Sequence, residues 1–298
     1  TFDENSDKLT NSAPGGKGAG SATGLKRVDG VHGKALQFDG DAGASFSDVF
    51  QVDRCDPFTL DFWLRDNAAI EQPVVVLQRT FGTDVGYNGF DLMLHGGVLE
   101  ARFYRVWPGN AIGVRSRSPI AKEKWQHVAV SYDGSSSAKG LKLYLDGKEL
   151  PTDILRDHVY KSASAAIFGE GKLTLGQRFR DRGFKDGAID DLRIYNRAVS
   201  PLEAQDLHDR KAVNDALADA APHRDDLEVY YLSAIDEPTR AATQQLRDAR
   251  RELITLEDQL QEIPVMHETA DPRPTYILAR GVYDAPKTDA NRVGRDTF

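Results

Sequence analysis

The chain has 298 residues, room for one large domain plus a smaller one, or for two ordinary domains. Hydrophobic residues make up 40% and charged residues 28%, a balance that excludes global disorder. The formal net charge of −8 makes nucleic acid a poor partner, because phosphate binding needs a basic footprint.

An edge strand is expected at Thr1–Glu4, and the rest of residues 1–35, rich in Gly, Ser and Lys, reads as a long surface loop. Strand signals then follow at 35–38, 44–46, 58–65, 73–79, 89–94, 97–105, 112–116, 125–132, 141–145, 172–176 and 188–195. Phe58, Leu60, Phe62 and Leu64 share one face of their strand; Leu141, Leu143 and Leu145 do the same. Asp133-Gly134 and Asp146-Gly147 are the pairs that tight hairpins prefer, because Gly tolerates positive φ. Many short antiparallel strands, each with one apolar face, must cover that face with a second sheet. The fold class is therefore mainly β, a two-sheet antiparallel sandwich.

The pattern changes at Ser200. Ser200-Pro201-Leu202-Glu203 is a capping box with Pro at the first helical position, so a helix starts there and runs to about 221. A short helix is expected over 225–234 and a longer one over 238–262. In the longer helix Leu246, Leu253 and Leu260 are spaced by seven, and Ala242, Ala249, Leu256 and Ile263 fill a second seam. This heptad pattern predicts a helical hairpin or short coiled coil, closing on the 201–221 helix or on another copy of the chain. The strand-like run 275–281 needs a pairing partner inside or outside the chain.

Cys55 stands alone, which excludes an intrachain disulfide and a thiolate zinc site; it reads as a small buried hydrophobe. No run approaches ~18 apolar residues, so no membrane-spanning helix is expected. The chain opens at Thr1 without a leader pattern and stops at Phe298 in a polar run, as a piece of a longer protein is expected to do.

Several phrases carry a resemblance. They are Gly33-Lys34-Ala35-Leu36-Gln37-Phe38-Asp39-Gly40, Phe58-Thr59-Leu60-Asp61-Phe62-Trp63, Trp125-Gln126-His127-Val128-Ala129-Val130-Ser131-Tyr132-Asp133-Gly134, Leu143-Tyr144-Leu145-Asp146-Gly147-Lys148 and the closing Asp190–Ser200. In this order they resemble the laminin-G-like branch of the concanavalin A-like lectin/glucanase superfamily, across roughly residues 1–199. The resemblance implies a jelly roll over 1–199, followed by the helical hairpin at 200–263 and an extended tail at 264–298 that starts a following domain. The helical stretch and tail resemble the region after the lectin-like domain in planctomycete multidomain proteins that carry cytochrome c-like domains. That resemblance implies an exported parent protein, periplasmic or extracellular. This chain has no Cys-x-x-Cys-His and hence no haem of its own.

By resemblance, Asp190 sits where the family's last-strand calcium ligand falls, with Asp3 or Glu4 and backbone oxygens near Asp39 and Gly40 completing a Ca²⁺ shell. The competing reading is that Asp190 and Asp191 merely flank a strand end. For a glycan, sugar C–H faces need aromatic rings and hydroxyls need planar polar groups. Arg102, Tyr104 and Trp107 supply them, with Tyr87, Asp91, Arg178 and Arg180 positioned to join across the concave sheet. The competing reading makes Tyr104 and Trp107 packing residues and pairs the arginines with Asp181 and Asp186. Glycoside hydrolysis needs two facing carboxylates, and the glucanase pattern Glu-x-Asp-x-x-Glu is missing. His127, with no acid beside it in sequence, reads as structural. The expected function is a non-catalytic module binding polysaccharide or glycan. The alternative is a structural module docking other domains of the parent protein.

Overall fold

The alternation in Phe58-Thr59-Leu60-Asp61-Phe62 builds a strand whose phenylalanines and leucine are fully buried. The same rule, repeated, gives the architecture of the computed structural model. It describes residues 2–294 apart from 15, 17, 69, 70, 84, 85, 165–170, 262, 264, 266–273 and 279–287. In chain order the strands are β1 (Lys8–Thr10), β2 (Ala19–Ser21), β3 (Lys26–Asp29), β4 (Lys34–Asp39), β5 (Ala44–Phe46), β6 (Phe58–Asp66), β7 (Val74–Thr83), β8 (Gly86–His95), β9 (Val98–Val106), β10 (Asn110–Ser116), β11 (Gln126–Tyr132), β12 (Leu141–Leu145), β13 (Lys148–Glu149), β14 (Thr152–His158), β15 (Leu173–Leu175) and β16 (Lys185–Tyr195). They form two antiparallel sheets, ordered β1-β2-β5-β15-β7-β8-β9-β10-β14 and β13-β12-β11-β6-β16-β4-β3. This is a mainly β sandwich, consistent with a concanavalin A-like jelly roll. Four helices follow: α1 (Pro201–Asp209), α2 (Ala212–Ala218), α3 (Arg224–Tyr230) and α4 (Glu237–Gln259).

Aromatic rings fill the middle of the core. Phe58 meets Phe50 edge-on at 4.9 Å and Phe90 at 5.2 Å, and Tyr132 lies at 5.5 Å. The buried Tyr132 hydroxyl donates to the Arg54 carbonyl at 2.6 Å, so its polar end is satisfied.

Residues 1–35 depart from the expected loop. They contain β1, β2 and β3, and the expected Thr1–Glu4 strand is absent over the described residues Phe2–Glu4. These short polar strands are visible only through their partners: β1 on β2, β2 on β5, β3 on β4. The edge strand β14, mostly exposed, escapes pattern reading for the same reason. Asp146 and Gly147 do form the tight turn, both at positive φ (48° and 78°). Asp133-Gly134 instead opens a longer loop, with Asp133 N–H bonded to Gly140.

The capping box is complete. Ser200 accepts from Glu203 N at 3.2 Å and Glu203 accepts from Ser200 N at 2.8 Å. The helix then breaks early at Arg210, in the left-handed region at φ 62°. Helix α1 lies on the outside of the seven-stranded sheet, where Ala204 packs with Ala129, Tyr144 and Val199. Helix α4 docks differently. Among its residues only Ile254 is buried. Arg247 and Arg251 pair with the buried Asp56, and Glu257 pairs with the buried Arg54. Its heptad seam does not close on α1 or α2: Leu246, Leu253 and Leu256 remain 50%, 51% and 58% exposed.

The chain divides into two compact units, Thr1–Gln259 and Leu260–Phe298. In the second, Thr275–Tyr276 pairs antiparallel with Arg292–Val293, which supplies the partner the tail strand needed; positions 279–281 of the expected run lie outside the described residues. No helix among the described residues is long and apolar enough to cross a membrane.

Because α4 is held by charge, Asp56→Ala is expected to speed amide hydrogen exchange across 237–259. Protection of β6, β8 and β9 is expected to persist. Unchanged exchange in α4 would show that the ion pairs do not hold it.

Candidate functional site

Alternation places Phe90, Leu92 and Leu94 of β8 in the core, and so turns Tyr87, Asp91 and Met93 outward. On β9 the core residues are Leu99, Ala101 and Phe103, so Arg102 and Tyr104 face outward. The β8–β9 register sets Asp91 opposite Arg102 and Gly89 opposite Tyr104. On β10, Gly113 faces Arg102 across the ladder. A Cβ there would lie 3.0 Å from the Trp107 ring, so the absent side chain is what lets the indole lie on the sheet.

Asp91 is fully buried at the centre. Its Oδ1 accepts from Arg102 Nε at 2.7 Å, and its Oδ2 from Arg102 Nη2 at 2.9 Å, Tyr104 Oη at 2.6 Å and Arg178 Nη1 at 2.7 Å. Arg178 arrives from the loop between β15 and β16 and also pairs with Asp181. Burial works against the Asp91 charge, but the Arg102 and Arg178 guanidinium groups outweigh it and hold the carboxyl below its usual range. Burial first, and then the Asp91 charge, push the Tyr104 hydroxyl well up, so it stays a donor.

Two further rings stack on this cage. Arg178 lies 4.5 Å from the Tyr87 centroid and Arg102 lies 5.0 Å from that of Trp107. Tyr104 meets Trp107 edge-on at 6.0 Å. Six of the seven expected sugar-binding residues thus converge on one patch. The seventh, Arg180, lies on the exposed rim over the ring of Phe179, which is 72% exposed. The roles differ from expectation, however. Asp91, Tyr104 and Arg178 are buried, because their hydrogen bonds close on one another. Tyr87 and Trp107 remain half-exposed and are the groups a ligand can touch.

The expected calcium ligands do not assemble. Asp39 pairs with Lys185 and Leu36 with Ile189, so Asp190 lies level with Ala35. Asp39 and Gly40 are then four or more residues up the strand, on the order of 13 Å away. Asp39 caps its own turn, accepting from Asp41 N and Ala42 N at 2.9 Å each. Asp3 accepts from Lys34 N at 2.6 Å and Asp190 Oδ2 from His32 N at 2.9 Å, so both serve the turn at 30–34. Asp190 Oδ1 is buried without a hydrogen-bond partner. One such oxygen is far from the six to eight that calcium takes. Among the described residues no group of three or more His, Cys, Asp or Glu is placed to hold a metal. These residues do not fit the ion as a set.

A second buried charge cluster escaped sequence reading. His127 shares a 2.9 Å hydrogen bond with Asp61, both fully buried. Arg193 also pairs with Asp61 and donates to the Leu207 carbonyl of α1 at 3.1 Å. Alternation alone turns Asp61 and His127 outward. Their meeting depends on the β6–β11 register, which sets His127 opposite Trp63 and Ala129 opposite Asp61. The cluster lies beneath α1, so its geometry serves to seat that helix. Cys55 is buried, and burial pushes its thiol pKa up, as a packing residue requires.

A model of the concanavalin A-like lectin/glucanases superfamily matches residues 38–205. No curated protein matches the chain in sequence. Among solved structures, the binding domain of Paraclostridial Mosquitocidal Protein 1 is 17% identical with a TM-score of 0.47, over 63% of this chain and 46% of that one. The chain thus spans under half the length of that structure. Domain 4 of AbnA, a GH43 extracellular arabinanase from Geobacillus stearothermophilus solved with arabinotriose, is 20% identical with a TM-score of 0.44, over 65% of this chain and 88% of that one. An HCR/D mutant, 10% identical with a TM-score of 0.50 over 66% and 47%, shows likeness of fold alone.

Asp91→Ala leaves the part-buried Arg102 without its counter-charge and Arg178 with Asp181 alone, and is expected to cost about 3–5 kcal/mol in urea unfolding. Asp190 behaves oppositely to Asp91, because burial raises its pKa. A carboxyl with a raised folded pKa contributes stability while protonated and loses it as pH rises through the folded value. Asp190→Asn is therefore expected to gain stability relative to wild type between about pH 4, near the unfolded value, and neutrality. A constant difference across that range would contradict it.

Proposed function

Since the chain belongs to the concanavalin A-like lectin/glucanases superfamily, we propose that it is a non-catalytic recognition module for a glycan, held on the outer face of the nine-stranded sheet between Tyr87 and Trp107. The observation that carries this reading is the pair of half-exposed rings, each backed by a guanidinium that is bound to the buried Asp91. Such rings stack on sugar C–H faces, and here they are fixed before a ligand arrives, so little side-chain entropy is lost on binding. Arg180 and Phe179 on the rim complete the surface; Asp91 acts by positioning the two arginines. The larger exported protein in which this module would work belongs to the same proposal, and rests on the sequence resemblance of its carboxy third.

One observation favours a second reading, a module that docks other protein domains. Leu246, Leu253 and Leu256 form an apolar stripe on α4 that nothing in the described chain covers.

Affinity electrophoresis through neutral and acidic polysaccharides separates the two. Retention is expected for the wild type, weakened roughly tenfold by Trp107→Ala, about the value of one aromatic contact. No retention on any polysaccharide, with Trp107→Ala indistinguishable from wild type, would leave the docking reading in its place.

A further inference from the structure

One row of residues runs across the outer face of the nine-stranded sheet. Asp91 stands opposite Arg102, Arg102 opposite Gly113, and Gly113 opposite Arg156 of β14. Directly opposed residues share a face, with Cβ atoms about 5 Å apart. The Trp107 ring lies over Gly113, so the exposed Arg156 flanks the outer side of the indole. Three strand spacings separate Asp91 from Arg156, on the order of 14 Å. At the other end the Tyr87 hydroxyl donates to the Phe179 carbonyl, which sets that ring beside the exposed Phe179-Arg180.

Arg156 and Arg180 differ from the arginines beneath the rings. Arg156 Nη1 donates to the Leu155 carbonyl at 2.6 Å, and Arg180 lies 5.1 Å from the Phe179 centroid. Among the described residues neither forms an ion pair. The acids closest in sequence are committed elsewhere. Asp181 pairs with Arg178 and Asp153 with Arg117, while Asp157 accepts from Ala138 N at 2.6 Å. Around the two rings, then, the guanidinium groups of Arg102, Arg178, Arg156 and Arg180 meet only the carboxylates of Asp91 and Asp181. This local positive excess runs against a chain whose net charge is −8. A guanidinium matches a carboxylate in geometry as well as charge.

We propose, resting on the glycan reading above, that the ligand is an acidic polysaccharide lying across β8, β9, β10 and β14. Its sugar faces stack on Tyr87 and Trp107, and uronate carboxylates meet Arg180 at one end and Arg156 at the other. Groups spread over this distance contact successive sugars of a chain. Exposed ion pairs are individually weak and screened by salt, so the rings hold the chain and the arginines select its charge.

The probes are polygalacturonate and its fully methyl-esterified form, which share a backbone and differ in charge. Surface plasmon resonance with the whole chain is expected to show the acid bound at least about fivefold more tightly at low salt. The gap should close near 1 M salt, where the screening length falls to about 3 Å. Arg156→Gln and Arg180→Gln, both at exposed positions, should each weaken the acid roughly two- to fivefold and leave the ester unchanged. Trp107→Ala should weaken both forms. Arg240→Gln removes the same charge from an exposed position on α4 and should change neither. An ester bound as tightly as the acid, or binding of neutral polysaccharides alone, would overturn the acidic ligand and leave the glycan reading standing. Binding of the acid indifferent to Trp107→Ala, or to both arginine variants, would also overturn it. No binding to any polysaccharide would sink the glycan reading and this inference together.

Discussion

Asp91, Asp61 and Asp56 are three buried carboxylates, each facing two cationic or imidazole side chains, and each holds something to the outside of the sandwich. Asp91 with Arg102 and Arg178 ties down the loop between β15 and β16. Asp61 with His127 and Arg193 lies under α1. Asp56 with Arg247 and Arg251 docks α4. The physical reason is the strand itself. One face of each strand goes to the core, so the other has little apolar surface with which to hold a covering element. Attachment through charge works only if every buried charge is matched, because removing one partner leaves the other desolvated.

The proposed glycan face follows from that constraint. The Asp91 cage is too well satisfied to grip a ligand itself. Its effect is indirect: it fixes two guanidinium planes, and these fix the rings of Tyr87 and Trp107 at their outer edge. A site built this way has rigid apolar contacts over a buried ionic base. A cleft beneath α4 arises from the same principle at the sandwich end, where ion pairs hold a helix without packing it tightly against the loops below.

The apolar face of β6, the Asp146-Gly147 turn and the Ser200–Glu203 cap were legible because each depends on residues a few positions apart. The strands of residues 8–29 were not. Lys8–Thr10 and Lys26–Asp29 have little pattern of their own and become strands through neighbours distant in sequence. The same distinction runs through the sites. The residues now gathered around Asp91 were readable as a set, because aromatic and Arg residues cluster in one segment, 102–107. Which of them are buried was not readable, since burial depends on Arg178 reaching in from 87 positions away. Asp39 and Gly40 were grouped with Asp190 by resemblance, and the β4–β16 register separates them.

By itself, then, the sequence determined two apolar-lined sheets, the turns that reverse them and a helical carboxy third, all of which arise from period, turn chemistry and capping along a short stretch of chain. Tertiary structure alone decided which charges meet, which rings stay exposed and where α4 rests. Those outcomes depend on strand register and on loop closure between residues 66 to 195 positions apart, and no local pattern encodes the distance between two side chains so far apart along the backbone.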